Sequence, residues 1–338
     1  MINQFYRLKS PRTFDIDFVS EELEENQVIV RPTFLSICNS DLKYFYGKKE
    51  EKVLKERLPL CLIHEAIGSV VYDPMGKLKK GTQVVLIPLI EKGKKSCIKA
   101  NYLPQNRFSS STAEGFTRDY VFIDRERLVP FEHIDEKVAV FSEIMTIGIN
   151  AIQTLRKYKD SFSDIAIWGD GNIGYAIAVL IKYYFPDCRL TVIGKSGTKL
   201  PFFTFADQTY TTEELPKNMK FDCAFECVGG TQSVNSIEGI LEHIEPQGFI
   251  SLIGLAEEKI PINTRKILEK GIVIIGNNRA DRNDFLEAKK ILETDEIVCS
   301  RIKILCSDVV SVTNEKELSE AFDIDINNEF KTIIKWEV

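Results

Sequence analysis

A chain of 338 residues, 44% hydrophobic and 28% charged, is long enough for two domains with sizeable cores. A formal charge of −6 excludes the concentrated basic surface that nucleic acid requires, no run approaches the roughly 18 apolar residues of a membrane span, and MINQFYRLKSPRTF opens without the apolar core of a signal peptide. A cytoplasmic protein is expected, its eight scattered cysteines kept as reduced thiols rather than joined in a disulfide framework.

Residues 1–37 read as strand and turn, with strands over 26–31 and 33–37, and a short helix is expected over 41–46. Residues 50–59, EEKVLKERLP, read as a charged surface excursion, and PLCLIHEAIGSVVY (59–72) places His64 and Glu65 just before a strand. Residues 73–80 form a charged turn and 83–88 a strand; 90–115 are a polar lobe, and 115–123 return from it as a strand. His133 follows a Pro-Phe-Glu turn, where a surface or capping role is expected rather than a ligand role. A helical region over 138–156 carries Glu143. From there strands (165–168, 190–193, 221–227, 249–254, 272–276) alternate with helices (175–185, 201–205, 233–244), which predicts a mainly parallel sheet. A helix from 285, a charged helix over 315–322 and a strand over 332–336 close the chain and return to the first domain.

Within that alternation lies WGDGNIGY. Gly169, Gly171 and Gly174 form G-x-G-x-x-G between a strand and a helix, with Asn172 and Ile173 between the last two glycines. That setting points to a dinucleotide. The first glycine permits the turn, the second admits a pyrophosphate, the third lets helix and strand approach, and the helix N-terminus binds the phosphates. A free ribose 2'-hydroxyl is usually met by an acid after the second strand. Here Lys195, Ser196 and Lys199 follow Gly194, and the next acid is Asp207. The pattern favours NADP(H) over NAD(H), unless the lysines merely face water.

Cys38, His64, Glu65 and Glu143 offer a thiolate, an imidazole and carboxylates, the donors a catalytic Zn2+ accepts. Taken singly, Cys38 and His64 read as ordinary buried residues and Glu143 as a helix-surface acid. Glu65, beside an apolar strand, is harder to leave without a partner. Adjacent His64 and Glu65 cannot point the same way on a regular strand, so either a turn brings both to one ion or Glu65 stands behind it.

CNSD (38–41), HEAIG (64–68), the glycine run, FECVGG (225–230) and EPQGFISLIG (245–254) resemble, in order, motifs of the zinc-dependent medium-chain alcohol and polyol dehydrogenases. The resemblance covers essentially the whole chain. It implies an α/β architecture: a GroES-like catalytic domain over 1–146, a doubly wound Rossmann domain over 147–281, and a return over 282–338. The reactive centre is then expected between the domains, and a homodimer through edge strands. The resemblance also implies one catalytic Zn2+ on Cys38, His64 and Glu143 or Glu65, with SEIMT (142–146) similar to the glutamate segment of the sorbitol dehydrogenase branch. Asp41 would accept a hydrogen bond from the His64 ring and orient it, or simply cap the short helix. Ser40 would pass a proton to or from the substrate oxygen. Lys43 stands where a relay histidine is common, and would relay protons, bind a substrate phosphate or lie in solvent. Arg118 and Arg279 are further candidates for that phosphate, and Arg279 would alternatively touch the cofactor.

Two departures stand out. Ile63 replaces the glycine usual before His64, and Cys97 is the one cysteine in the 90–115 lobe, so no structural zinc is expected. MINQ, LPLCLIHEAIG, IWGDGNIGY, VIGK, NTRKILEKG (263–271) and KTIIKWEV look closer still to the ribulose-5-phosphate reductases. This implies NADPH-dependent reduction of ribulose 5-phosphate to ribitol 5-phosphate, with a cytidylyltransferase partner making CDP-ribitol for teichoic acid or capsule. The alternatives are another ketose phosphate (xylulose 5-phosphate to arabinitol phosphate, fructose 6-phosphate to mannitol phosphate), an NAD-dependent dehydrogenase of an unphosphorylated polyol, a non-catalytic dinucleotide sensor, and a zinc-free quinone reductase. The last two have no reason to retain the four metal-type residues.

Overall fold

A computed structural model describes residues 1–93, 97–195 and 197–338. The chain forms two compact units, Met1–Glu143 with Ala280–Val338, and Ile144–Arg279. In order, the first unit contributes β1 (Ile2–Ser10), β2 (Thr13–Ser20), β3 (Gln27–Ser36), α1 (Asn39–Phe45), α2 (Glu51–Arg57), β4 (Leu60–Cys61), β5 (Glu65–Tyr72) and β6 (Gln83–Leu86). Then come β7 (Leu89–Ile90), β8 (Arg107–Phe108), β9 (Val121–Asp124), β10 (Leu128–Pro130), α3 (Glu136–Ala139) and α4 (Ser142–Arg156), within which the chain passes to the second unit. The second unit holds β11 (Asp164–Trp168), α5 (Asn172–Tyr184), β12 (Arg189–Gly194), β13 (Gln208–Thr211), β14 (Phe221–Glu226), α6 (Ser233–His243), β15 (Ile244–Leu252), α7 (Thr264–Lys270) and β16 (Val273–Gly276). The chain closes with α8 (Arg282–Thr294), α9 (Glu296–Lys303), β17 (Cys306–Val312), α10 (Glu315–Asp325) and β18 (Lys331–Trp336).

The first unit is built on a sheet ordered β10-β6-β5-β3-β18-β17, with β9 also on β3, and on a smaller sheet β2-β1-β4. The last strand, β18, pairs antiparallel with β3 and parallel with β17, so the tail is an inner strand. Leu35, Ile37, Leu62, Ile63, Phe116 and Trp336 share its core. Several local expectations change, and the helix expected over 201–205 is reduced to a single 3-10 turn, Leu200–Phe202. Residues 26–37 give one strand rather than two, because β3 runs through Pro32 with register shifts against β5. The charged excursion is the helix α2, with no buried residue and an exposed Lys55–Glu51 pair at 2.6 Å. The returning strand is confined to Val121–Asp124, because Gly115 and Phe116 bond instead to the carbonyls of residues 61–63.

The second unit is a parallel sheet ordered β13-β12-β11-β14-β15-β16. Counted from β11 this is 3-2-1-4-5-6, the doubly wound order, whose ligand crevice lies at the carboxyl ends where the order reverses. The composition follows the burial. Ile165–Trp168 of β11 are buried, and so is every residue from Gly174 to Ile181 of α5, a helix covered nearly all round. Among the described residues no helix is long and apolar enough to cross a membrane.

Gly169 (φ 119°) needs the left-handed region, and at Gly174 a Cβ would stand 1.9 Å from the Gly169 carbonyl oxygen. The helix can therefore start against the strand only with glycine at 174. Gly174→Ala is expected to lower stability by about 3 kcal/mol, read as a lower urea midpoint. An unchanged midpoint would exclude this close approach.

Candidate active site

Cys38 is the N-cap of α1, with extended backbone (φ −105°, ψ 153°), just past the end of β3. Its N–H donates to Asp41 Oδ2 at 3.1 Å, so Asp41 closes the helix start. The other Asp41 oxygen accepts from the N–H of Ile63 at 3.0 Å. One fully buried carboxylate thus holds both segments that carry candidate ligands.

Ile63 has φ 65°, a region costly for a β-branched residue and natural for the glycine the family resemblance leads one to expect. Three things hold it there: the bond to Asp41, the Phe116 N–H donating to its carbonyl at 2.8 Å, and a side chain wholly inside the core. This turn sets His64 just ahead of β5, which begins at Glu65, so the two side chains escape strand alternation. Ligand atoms of Cys38, His64 and Glu65 lie within 4.8 Å of one another.

Asp41 does not touch the His64 ring directly: Nδ1 to Oδ1 is 3.8 Å. Ser110 stands between, 2.9 Å from Nδ1, and donates its hydroxyl to Asp41 Oδ1 at 2.8 Å. Burial opposes ionisation of Asp41, but His64, Ser110 and the Ile63 N–H outweigh it and hold the carboxyl below its ordinary range. An ionised carboxylate only accepts, so the single Ser110 proton goes to Asp41 and Ser110 accepts from His64 Nδ1–H. The lone pair of the neutral ring is therefore on Nε2. Burial disfavours the charged ring, yet the Asp41 charge overcomes this and raises His64 well above the usual imidazole value. A bound cation would compete with that proton for Nε2.

Glu65 is 1% exposed. Its Oε1 accepts from Lys331 Nζ at 2.9 Å, and Lys331, equally buried, also donates to the Ile37 carbonyl at 2.6 Å. Glu65 Oε2 is buried with no hydrogen-bond partner among the described residues. An oxygen left so, beside a thiol and an imidazole, fits a cation. Glu143, second residue of α4, is buried but stands outside this close group; burial pushes its carboxyl up to about 7, with His64 and Lys331 opposing.

Ser40 and Lys43 are half-buried on α1 at a spacing of three, hence on one face of the helix. Arg118 is buried rather than solvent-facing: Nε donates to the Gly115 carbonyl at 3.1 Å and the guanidinium lies 4.9 Å from the Phe5 ring centroid. Arg279 has φ 57°, and its carbonyl accepts from Asn150 at 3.1 Å. His133 is exposed.

In the second unit Gly171 caps α5, and a Cβ there would meet nothing within 4 Å. Asn172, Ile173 and Gly174 form the first turn, whose N–H groups have no acceptor within the helix. Asn172 Oδ1 is buried and unpartnered among the described residues. Lys195 is exposed after β12 and Lys199 is half-buried; Ser196 lies outside the described residues. No catalytic or metal-binding motif of the sequence contains Ser110 or Lys331. Lys331, a charge opening the apolar strand KTIIKW, was detectable; Ser110 had no signal.

Residues 24–133 match the alcohol dehydrogenase GroES-like domain. With a doubly wound sheet following in the same chain, the class is a medium-chain dehydrogenase, an oxidoreductase. The chain is 38% identical to ribulose-5-phosphate reductase 2 of Staphylococcus aureus and 38% identical to ribulose-5-phosphate reductase of Bacillus spizizenii, covering 100% of each chain. It matches S. aureus TarJ, solved in complex with NADPH, at a TM-score of 0.90 and 34% identity over 100% of both chains. The chain belongs to the ribulose-5-phosphate reductase family.

Lys331→Met would leave Glu65 buried without its cation. The expected cost is about 3–5 kcal/mol, read from denaturant unfolding, and Glu65→Gln in the same chain should recover part of it. Equal stability of Lys331→Met and the parent would sink this account.

Proposed function

We propose that this chain reduces D-ribulose 5-phosphate to D-ribitol 5-phosphate with NADPH and a catalytic Zn2+. The observation that carries the metal is the convergence of Cys38, His64 and Glu65, with Glu65 Oε2 buried and unpartnered. Similarity over the full length, at 38% identity, to two ribulose-5-phosphate reductases supports the substrate, and the NADPH complex of TarJ supports the cofactor. When bound, Zn2+ supplies Lewis acidity toward the ketone oxygen and NADPH supplies the hydride.

The chain's own residues do the rest. Cys38, His64 and Glu65 hold the ion, with Glu143 as the further candidate ligand. Ser110 and Asp41 fix the His64 ring so that Nε2 is the donor, and Lys331 restrains one Glu65 oxygen so that the other is available. Reduction of a ketone consumes one hydride and one proton. Ser40 is proposed to deliver the proton, and Lys43, on the same helix face, to replenish it or to bind the substrate phosphate. Arg279 is the other cation proposed for that phosphate or for the cofactor. Gly169, Gly171, Asn172, Ile173 and Gly174 would seat the pyrophosphate, and Lys195, Ser196 and Lys199 the 2'-phosphate. The product would pass to a cytidylyltransferase, and the enzyme would act as a homodimer.

The test follows NADPH absorbance with ribulose 5-phosphate, xylulose 5-phosphate, fructose 6-phosphate and unphosphorylated ribulose. Ribulose 5-phosphate is expected to be fastest. A faster reaction with another sugar would replace the substrate, and full activity after exhaustive chelation would remove the metal. Cys38→Ala should lose the metal and nearly all turnover. Ser110→Ala should bind Zn2+ roughly 10–100-fold more weakly, measured by competition with a chromogenic chelator; unchanged affinity would mean that Ser110 does not orient His64.

A further inference from the structure

Residues 108–110 seat the His64 ring, and their own conformation needs support. Phe108 is placed by its ladder to Leu89, and its ring meets the edge of the His64 ring with 5.4 Å between centroids. Ser110 lies outside any strand and has φ 59°, a left-handed backbone that few residues other than glycine adopt. Yet its Oγ must stay 2.9 Å from His64 Nδ1. Ser109, between the two, is 1% exposed and is fixed from outside the turn. Its N–H donates to the Pro88 carbonyl at 3.0 Å, and its hydroxyl accepts from Arg127 Nη2 at 3.2 Å. Arg127 stands just before β10. Its Nε donates to the Ile87 carbonyl at 3.0 Å and its Nη2 to the Pro88 carbonyl at 3.4 Å, while its own carbonyl accepts from the Ile87 N–H at 2.8 Å. One guanidinium thus joins the chain leaving for the 90–115 lobe to the chain returning from it. All these bonds go to neutral oxygens, so the planar fork rather than the charge is what the segment uses.

We propose that Arg127 is a positioning residue for the metal ligand His64, acting through Ser109 and Ser110. This rests on the metal reading above and deepens it. The N–H groups of a guanidinium lie in one plane at fixed angles, so acceptors on two chain segments are held at set distances. With Ser109 pinned, Ser110 is kept from relaxing to a commoner backbone, and its hydroxyl stays between His64 Nδ1 and Asp41. Nε2 is then the nitrogen left for an ion. Without the guanidinium the ring is free to turn, and a cation must order it on binding, which weakens affinity.

The test measures the Zn2+ affinity of the full chain by competition with a chromogenic chelator, with urea midpoints recorded alongside. Wild type is compared with Arg127→Met, Ser109→Ala and Ser110→Ala, and with each of the first two combined with Ser110→Ala. Arg127→Met and Ser109→Ala should each bind Zn2+ about tenfold more weakly. Ser109→Ala removes one hydroxyl and leaves both carbonyl bonds of Arg127, so it carries the test if Arg127→Met fails to fold. In the Ser110→Ala background neither change should add more than about twofold, because the route to the ring is already gone. A role confined to stability would instead lower the urea midpoint and leave the affinity of the folded variants unchanged. Affinity of Ser109→Ala within about twofold of wild type, or effects that simply multiply in the double variants, would overturn the proposal. A wild type that binds no Zn2+ overturns the metal reading as well, which separates the two failures.

Discussion

The buried pair between Lys331 and Glu65 governs the geometry of the first unit's candidate site. Both side chains are 1% exposed and 2.9 Å apart. Two charges taken out of water at such depth gain little net stability over an apolar pair, but each becomes indispensable to the other. The bond to the Ile37 carbonyl lets the same ammonium group brace the segment leading to Cys38. The first residue of the last strand thus fixes two residues from the first third of the chain. This explains why the tail must come back as an inner strand between β3 and β17 rather than pack on the outside.

Asp41 plays a comparable part with the opposite charge. It accepts from the N–H groups of Cys38 and Ile63 and from the Ser110 hydroxyl. One oxygen of this carboxylate closes the helix start directly, and the other reaches the His64 ring only through Ser110. The left-handed Ile63 belongs to the same scheme. Its strain is offset by a hydrogen bond from its N–H to the Asp41 carboxylate, another from the Phe116 N–H to its carbonyl, and a buried side chain, and the turn it makes allows neighbours in sequence to face one point.

The second unit solves a different problem, bringing a helix start and two strand ends close enough to present backbone N–H groups. Glycines at 169 and 174 remove the side chains that would prevent it, and Gly194 does the same for the Asp170 carboxylate.

The sequence by itself determined the alternation of strand and helix after residue 163, the glycine turn, and the residue types from which a metal pocket can be assembled, because periodicity, glycine spacing and donor chemistry are local properties. Only the tertiary structure decided that Ser110 stands between His64 and Asp41, that Lys331 holds Glu65, that Glu143 lies outside the close group, and that Asp170 rests on Gly194. Those contacts join residues 69, 266 and 24 positions apart in the first, second and fourth cases. Spacing in the chain carries no information about such meetings, because sheet order and register bring the partners together, and these are set by how the whole core packs.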